Sequence, residues 1–133
     1  GMLKNKLINN KKTILVVEDD KSLNKIIILK LKEAGFQTIS VEDAESAFKF
    51  LDGNKPDLIW LDIYLPGMNG LEFLGKIRKN KKTENLKVVI VSVSGSNKKI
   101  EQAQKLGVTE YFVKSNYKIE ELIEAVNNIL RKA

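Results

Sequence analysis

The sequence predicts an α/β domain: a doubly wound, mostly parallel sheet of five strands alternating with five helices. Three observations carry this. Apolar runs of four or five residues recur along the chain, too short for helices and too continuous for surface strands: Thr13–Val17, Leu58–Leu61 and Val88–Val91. Such runs suit parallel strands buried on both faces. The stretches between them place apolar residues three and four apart, the spacing of an amphipathic helix. Strict alternation of the two patterns argues for βαβ units in one sheet.

The elements follow in order. After the first strand, Leu23, Ile27, Leu31 and Ala34 form the buried stripe expected of a helix over 21–34, and Gly35 suits the left-handed position that ends it. Residues 36–41 alternate, with Gln37, Ile39 and Val41 opposite Phe36, Thr38 and Ser40, which fits a half-buried edge strand. Ala44, Ala47, Phe48 and Leu51 mark the second helix, with Gly53 beyond it. Pro56 bars helix ahead of the third strand. Leu71, Leu74 and Ile77 mark a third helix opening at Gly70. Ile100, Ala103 and Leu106 mark a shorter fourth closed by Gly107, and Ile119, Leu122, Ile123, Val126 and Leu130 mark the fifth. The fifth strand is Tyr111-Phe112-Val113.

At 133 residues the chain is expected to hold one domain, over 13–133, behind a polar Asn/Lys-rich leader over 1–12 in which Gly1 ahead of Met2 reads as a tag remnant. The hydrophobic share of 43% and charged share of 30% suit a soluble globular chain, and a cytoplasmic location is the default expectation. No apolar stretch is long enough to span a membrane, and no signal-peptide pattern opens the chain. With neither cysteine nor histidine, the chain has no thiolate or imidazole metal site, no Ser–His chemistry of its own, and no phosphohistidine to donate. The net charge of +6 is spread over lysines on presumed helix faces and loops, with no interleaved aromatics to stack nucleic-acid bases.

The chemistry lies where the strands end. Glu18-Asp19-Asp20 closes the first apolar run, Asp62 the third, Ser92 the fourth and Lys114 the fifth. Right-handed crossovers bring all those ends to one side of the sheet, where open α/β sheets bind ligands. Crowded carboxylates repel one another unless a proton or a cation intervenes. An oxygen-only donor set points to Mg²⁺, Mn²⁺ or Ca²⁺. A carboxylate, a metal, a hydroxyl and an ammonium together suit an aspartate that attacks phosphorus. Asp20 is expected to cap the first helix rather than to bind.

These residues resemble the receiver domain of two-component response regulators, and among them the single-domain chemotaxis receivers. The likeness covers about residues 13–131. It rests on Ile14-Leu15-Val16-Val17-Glu18-Asp19-Asp20, on Pro56 through Gly70, on Ser92, and on Leu106-Gly107 followed by Tyr111-Phe112-Val113-Lys114. It implies a flavodoxin-like (βα)5 fold with strand order 2-1-3-4-5. It further implies Asp62 as phosphoacceptor, and Mg²⁺ (or Mn²⁺) held by Asp19, Asp62 and the backbone carbonyl of Tyr64, with Glu18 acting through water. Lys114 would pair with the phosphoryl group, Ser92 would hydrogen-bond it, and Tyr111 would be the aromatic switch that turns inward. Gly67 and Gly70 would shape the loop into the third helix.

The implied partners are a sensor histidine kinase or phosphotransfer protein and a separate output protein, met through the fourth helix, fifth strand and fifth helix. Such a domain is a signalling switch rather than an enzyme, and is a monomer or a phosphorylation-dependent dimer. Direct DNA binding is not expected, since no helix-turn-helix follows.

Some positions depart from the family pattern. Val93 stands where Ala or Gly is usual, and is expected either to crowd the phosphoryl pocket or to repack locally. Ser115 replaces the usual proline after the lysine, so a trans bond and a different loop are expected there. Tyr64 is bulky enough to shield the phosphoryl site or to lie flat over solvent, and Trp60 is read as core or as a reporter of metal binding. The alternative function is a phosphorylation-independent interaction module. An Asp-based phosphatase is disfavoured because the position two past Asp62, where such enzymes carry a second Asp, is Tyr64.

Overall fold

The computed structural model describes residues 11–131. The expected leader over 1–12 therefore lies outside the described residues except for Lys11 and Lys12, which are exposed and precede the first strand. The strands are β1 (Thr13–Val17), β2 (Gln37–Val41), β3 (Leu58–Leu61), β4 (Lys87–Ser92) and β5 (Glu110–Val113). The helices are α1 (Lys21–Glu33), α2 (Ala44–Leu51), α3 (Gly70–Lys79), α4 (Asn97–Lys105) and α5 (Ile119–Arg131). The five strands form one sheet in the order β2-β1-β3-β4-β5, parallel throughout. The chain leaves β1 toward β2 on one side, then crosses back to β3, β4 and β5. The order reverses between β1 and β3, whose carboxyl ends are Val17 and Leu61.

Two-residue periodicity divides the core into two layers. Leu15, Val17, Ile59, Leu61, Val88 and Ile90 face α2, α3 and α4, where they meet Ala47, Phe73, Leu74, Ile77 and Ala103. Ile14, Val16, Leu58, Trp60, Val89 and Val91 face the other way, onto Ile27 and Leu31 of α1 and Leu122, Val126 and Leu130 of α5. Both faces of β1, β3 and β4 are thus covered, which is why these runs are continuously apolar. Trp60 is fully buried in the second layer, which makes it a core residue. β2 and β5 lie at the edges of the sheet, and β2 is half-buried as expected but without strict alternation, Gln37 and Ser40 being exposed and Thr38, Ile39 and Val41 partly buried.

Side-chain caps set where most helices begin. Asp20, Asp43, Asn69 and Ser96 each accept a hydrogen bond from the backbone N–H three residues on, opening α1, α2, α3 and α4. Glycines in the left-handed region follow α1, α2 and α4, with Gly35, Gly53 and Gly107 at φ +96°, +119° and +68°.

Three details differ from the sequence reading. Ala34 is exposed as the C-cap of α1, and the buried stripe is Asn24, Ile27 and Leu31, with Leu23 only half-buried. The helix is rotated so that a polar amide, not Leu23, faces the ends of β1 and β2. In α3, Phe73 is buried and Leu71 only partly so, because the Phe73 ring packs against Phe48 at 4.8 Å. After β5, a single 3-10 turn over Lys114–Asn116 stands where only a loop was expected. The chain has no cis peptide among the described residues, so Ser115 follows a trans bond as expected.

Gly70 sets how closely α3 approaches the strand end. Its N–H donates to Ile63 O at 2.7 Å, and a Cβ there would collide with the Asp62 carbonyl oxygen and lie 2.8 Å from Ile63 Cα. Backbone cannot yield as a flexible side chain does. Gly70→Ala should therefore lower stability by about 3 kcal/mol in urea unfolding, at the upper end for an overpacked site. The same change at Gly75, where a Cβ would meet nothing within 4 Å, should cost nothing.

Candidate functional site

Backbone hydrogen bonds assemble the site at the reversal of strand order. Asp62 N–H donates to Val17 O at 3.0 Å, which holds the residue after β3 against the end of β1. Glu18 N–H donates to Val41 O at 3.1 Å, which carries the acidic loop from β1 toward β2. Asp20 then turns the chain into α1, its Oδ1 accepting from Leu23 N at 3.0 Å, as its expected capping role requires. Lys114 enters from the far edge, directly after β5.

The carboxylates of Glu18, Asp19 and Asp62 converge, each offering an oxygen within 4.8 Å of the others. Glu18 and Asp62 are buried, at 1% and 6% exposure, while Asp19 is exposed. Lys114 Nζ sits between the two buried ones, 2.9 Å from Glu18 Oε1 and 3.6 Å from Asp62 Oδ2. Glu18 Oε2 accepts from Asp20 N–H at 3.1 Å, so both Glu18 oxygens are engaged. Asp62 Oδ1 accepts from Tyr64 N–H at 3.3 Å. Asp19 makes no hydrogen bond or ion pair among the described residues, which leaves its oxygens free.

The electrostatics are unbalanced. Burial, and then the Glu18 charge, push the Asp62 carboxyl up to about 6, against Lys114 and the N–H groups of Tyr64 and Ile63. Burial works to lower Lys114, but its hydrogen bond to Glu18 and the charges of Asp62 and Glu18 outweigh it and hold the ammonium above its usual value. One ammonium faces three carboxylates. The donor set is all oxygen, part of it already free, and short of positive charge. It fits a hard divalent cation.

Ser92 ends β4 fully buried, and its Oγ accepts from Ser94 N–H at 3.3 Å. The Tyr111 ring packs against the core layer of α2, α3 and α4, and its hydroxyl donates to Ser94 O at 2.7 Å, so the aromatic lies inward in this structure. Val93 is 65% exposed and takes no part in the core. Tyr64 is also exposed, with Lys99 Nζ 5.4 Å from its ring centroid, a bridge from the β3–α3 loop to α4 that sequence reasoning missed. Hydrogen bonds from Ser94 and Lys99 hold the Tyr64 hydroxyl below its usual value. Asn24 was also missed: it reads as a surface helix residue, yet is buried at the base of the acidic loop. Its position one turn into a helix that follows an acidic triplet is the one signal the sequence offers.

The raised Asp62 value has a consequence for stability. The folded chain holds this proton more tightly than the unfolded chain does. The stabilisation is therefore complete below about pH 4 and lost as pH rises through about 6. In the presence of a chelator, Asp62→Asn should be more stable than the parent chain by about 2 kcal/mol at pH 7.5, and the gap should shrink toward pH 4. Chemical denaturation at the two pH values measures this, and an equal gap at both would contradict the assignment.

Comparison with known proteins agrees with this geometry. Residues 14–127 match the family described as the response regulator receiver domain. The phosphate regulon transcriptional regulatory protein PhoB of Escherichia coli is 30% identical over 119 residues, which are 90% of this chain and 52% of that protein. This chain thus spans about half the length of the first such regulators it matches. Sporulation initiation phosphotransferase F of Bacillus subtilis is 29% identical over 88% of this chain and 92% of its own length. Among solved structures, the Mn²⁺-bound form of response regulator Rcp1 superposes with a TM-score of 0.76 at 29% identity, covering 89% of this chain and 91% of that one. With five parallel strands in the order 2-1-3-4-5 and an acidic cluster at their reversal, the chain belongs to the response regulator receiver domain family of two-component signalling.

Proposed function

We propose that this domain is a phosphorylated switch in which Asp62 accepts a phosphoryl group from a phosphohistidine of a sensor histidine kinase or phosphotransfer protein. The observation that carries the reading is the convergence of Glu18, Asp19 and Asp62 with Lys114 set between the two buried carboxylates. A pure scaffold has no physical need for three crowded carboxylates, since burying such charges costs stability. The Mn²⁺-bound relative and the phosphotransferase relative support the same reading by analogy.

Asp19, Asp62 and the Tyr64 carbonyl would hold Mg²⁺ (or Mn²⁺), with Glu18 acting through water. The bound cation would offset charge on the carboxylates and on the phosphoryl oxygens. Asp62 Oδ attacks phosphorus, the P–N bond of the phosphohistidine breaks, and its electron pair returns to the imidazole nitrogen. Lys114 exchanges its contact with Asp62 for a phosphoryl oxygen and neutralises charge there. The Ser92 hydroxyl donates to another phosphoryl oxygen. Because Ser92 accepts from Ser94 N–H and Ser94 O accepts from Tyr111, a shift of Ser92 reaches the aromatic in two hydrogen bonds. Tyr111 lies in β5, so the α4-β5-α5 face changes with it, and the phosphoryl group biases a two-state equilibrium of that face. Water attacking the acyl phosphate resets the switch.

The signal passes through the α4-β5-α5 face to an output partner in a cytoplasmic pathway. The domain acts as a monomer or as a phosphorylation-dependent dimer. No helix among the described residues is long and apolar enough to cross a membrane.

Incubation with acetyl phosphate and Mg²⁺, followed by intact-mass spectrometry, tests the reading. One phosphoryl group per chain is expected, with none on Asp62→Asn and none under chelation. Lys114→Ala should slow the gain by about 100-fold, the loss typical of one positioned charge-stabilising donor. Absence of any adduct on the parent chain, with a histidine phosphodonor also tried, would leave the phosphorylation-independent module as the function.

A further inference from the structure

We infer that Asn24, with Ser40 behind it, is a positioning residue that holds the acidic loop in its cation-binding shape. The inference rests on the proposed metal site. Asn24 lies on the first turn of α1 and is 4% exposed, which is unusual for an amide on a helix flanked by lysines. Its Nδ2 donates to Glu18 O at 2.9 Å and to Val41 O at 3.3 Å. Its Oδ1 accepts from the Ser40 hydroxyl. Both amide hydrogens and the oxygen are therefore engaged, and the side chain joins the end of β1, the end of β2 and the start of α1. Its own N–H donates to Asp20 O at 2.8 Å, closing the loop from the helix side.

The geometry explains why this matters to Asp19. The peptide group is planar, so fixing the Glu18 carbonyl oxygen also fixes the Asp19 nitrogen. The Glu18 N–H is already held by Val41 O. Glu18 is thus pinned at both ends of its backbone, and its side chain is pinned by Lys114 and Asp20. Asp19, by contrast, is exposed and its carboxylate has no partner among the described residues. What aims that carboxylate at Glu18 and Asp62 is the backbone on which it sits. Loss of the Asn24 amide releases the 18–19 peptide plane, and the three carboxylate oxygens no longer share one small volume. Partners that orient ligands without touching the metal typically govern about 10- to 100-fold in affinity.

The test is a titration of the whole chain with Mn²⁺ and with Mg²⁺, followed by NMR and by calorimetry well below the melting temperature. Four proteins are compared: the parent chain, Asn24→Ala, Ser40→Ala and Leu130→Ala. Leu130 is buried in the layer of α1 and α5 but beside Lys12 and Pro56, at the amino ends of the strands and away from the rim, so its truncation lowers stability without touching the loop. The expected result is a dissociation constant about 10-fold higher for Asn24→Ala. Ser40→Ala, which keeps the amide but frees its orientation, should weaken binding in the same direction by less. Leu130→Ala should bind as the parent does, which separates positioning from mere stability. Should Asn24→Ala fail to fold, the Ser40→Ala and Leu130→Ala comparison still decides. Parent-like affinity in Asn24→Ala, or in Ser40→Ala when only that variant folds, overturns the assignment while leaving the metal site standing. A parent chain that binds neither cation overturns the metal reading and this inference with it.

Discussion

A single ammonium group between two buried carboxylates is the interaction on which the functional end of this molecule depends. Lys114 follows the last strand and reaches Glu18, 96 residues earlier in the chain, and Asp62 just after the third strand. Buried charges of one sign cannot share a strand rim without compensation, and removing the compensating ammonium from such a set typically costs roughly 3–5 kcal/mol. The ammonium offsets only part of the negative charge. What remains is a site that favours a proton on Asp62, a divalent cation, or an incoming group that brings its own cation. Burial, and then the Glu18 charge, raises Asp62, and the negative charge left uncompensated makes the site receptive.

Topology supplies the rest. A parallel sheet sends every strand end to one rim, and the reversal between β1 and β3 parts the flanking connections just there. Asp62 is tied to the end of β1 through Val17 O, so the two halves of the acidic cluster are joined by main chain before any side chain takes part. The helices need only be kept at the right distance. Asp20 and Asn69 start α1 and α3 beside the rim, and Gly70 lets α3 approach to backbone contact. The proposed signal would use equally short links, since Ser94 touches both Ser92 and Tyr111.

Much of this was legible in the residues. β1, β3 and β4 are buried on both faces, so their composition alone marks them, and the polar residue ending each run marks the rim. Helix spacing located all five helices, and the glycines marked three of their ends. The misses share a cause: they depend on which way a side chain turns. Asn24 was missed because a polar residue on a lysine-rich helix reads as solvated until the ends of two strands are seen above it. Ala34 was placed in the buried stripe because period alone cannot tell the last turn of a helix from its cap. Phe73 displaces Leu71 because an aromatic partner, Phe48, waits on α2. The Tyr64–Lys99 contact joins a loop to a helix with no sequence relation, and no local pattern announces it.

The central claim is that filling the rim at Asp62 is felt at Tyr111 through Ser92 and Ser94. The most direct measurement is an NMR titration with Mg²⁺ and then beryllofluoride, which mimics a phosphoryl group on a carboxylate, run in parallel on Asp62→Asn. Trp60 fluorescence is the weaker probe, because that ring lies in the layer of α1 and α5. The account predicts Mg²⁺-induced shifts confined to the rim around Asp19 and Asp62. Beryllofluoride should then extend them through Ser92 and Ser94 to Tyr111 and α4, with none of this extension in Asp62→Asn. Beryllofluoride shifts that stop at the rim, or that persist without the Asp62 carboxylate, would contradict it.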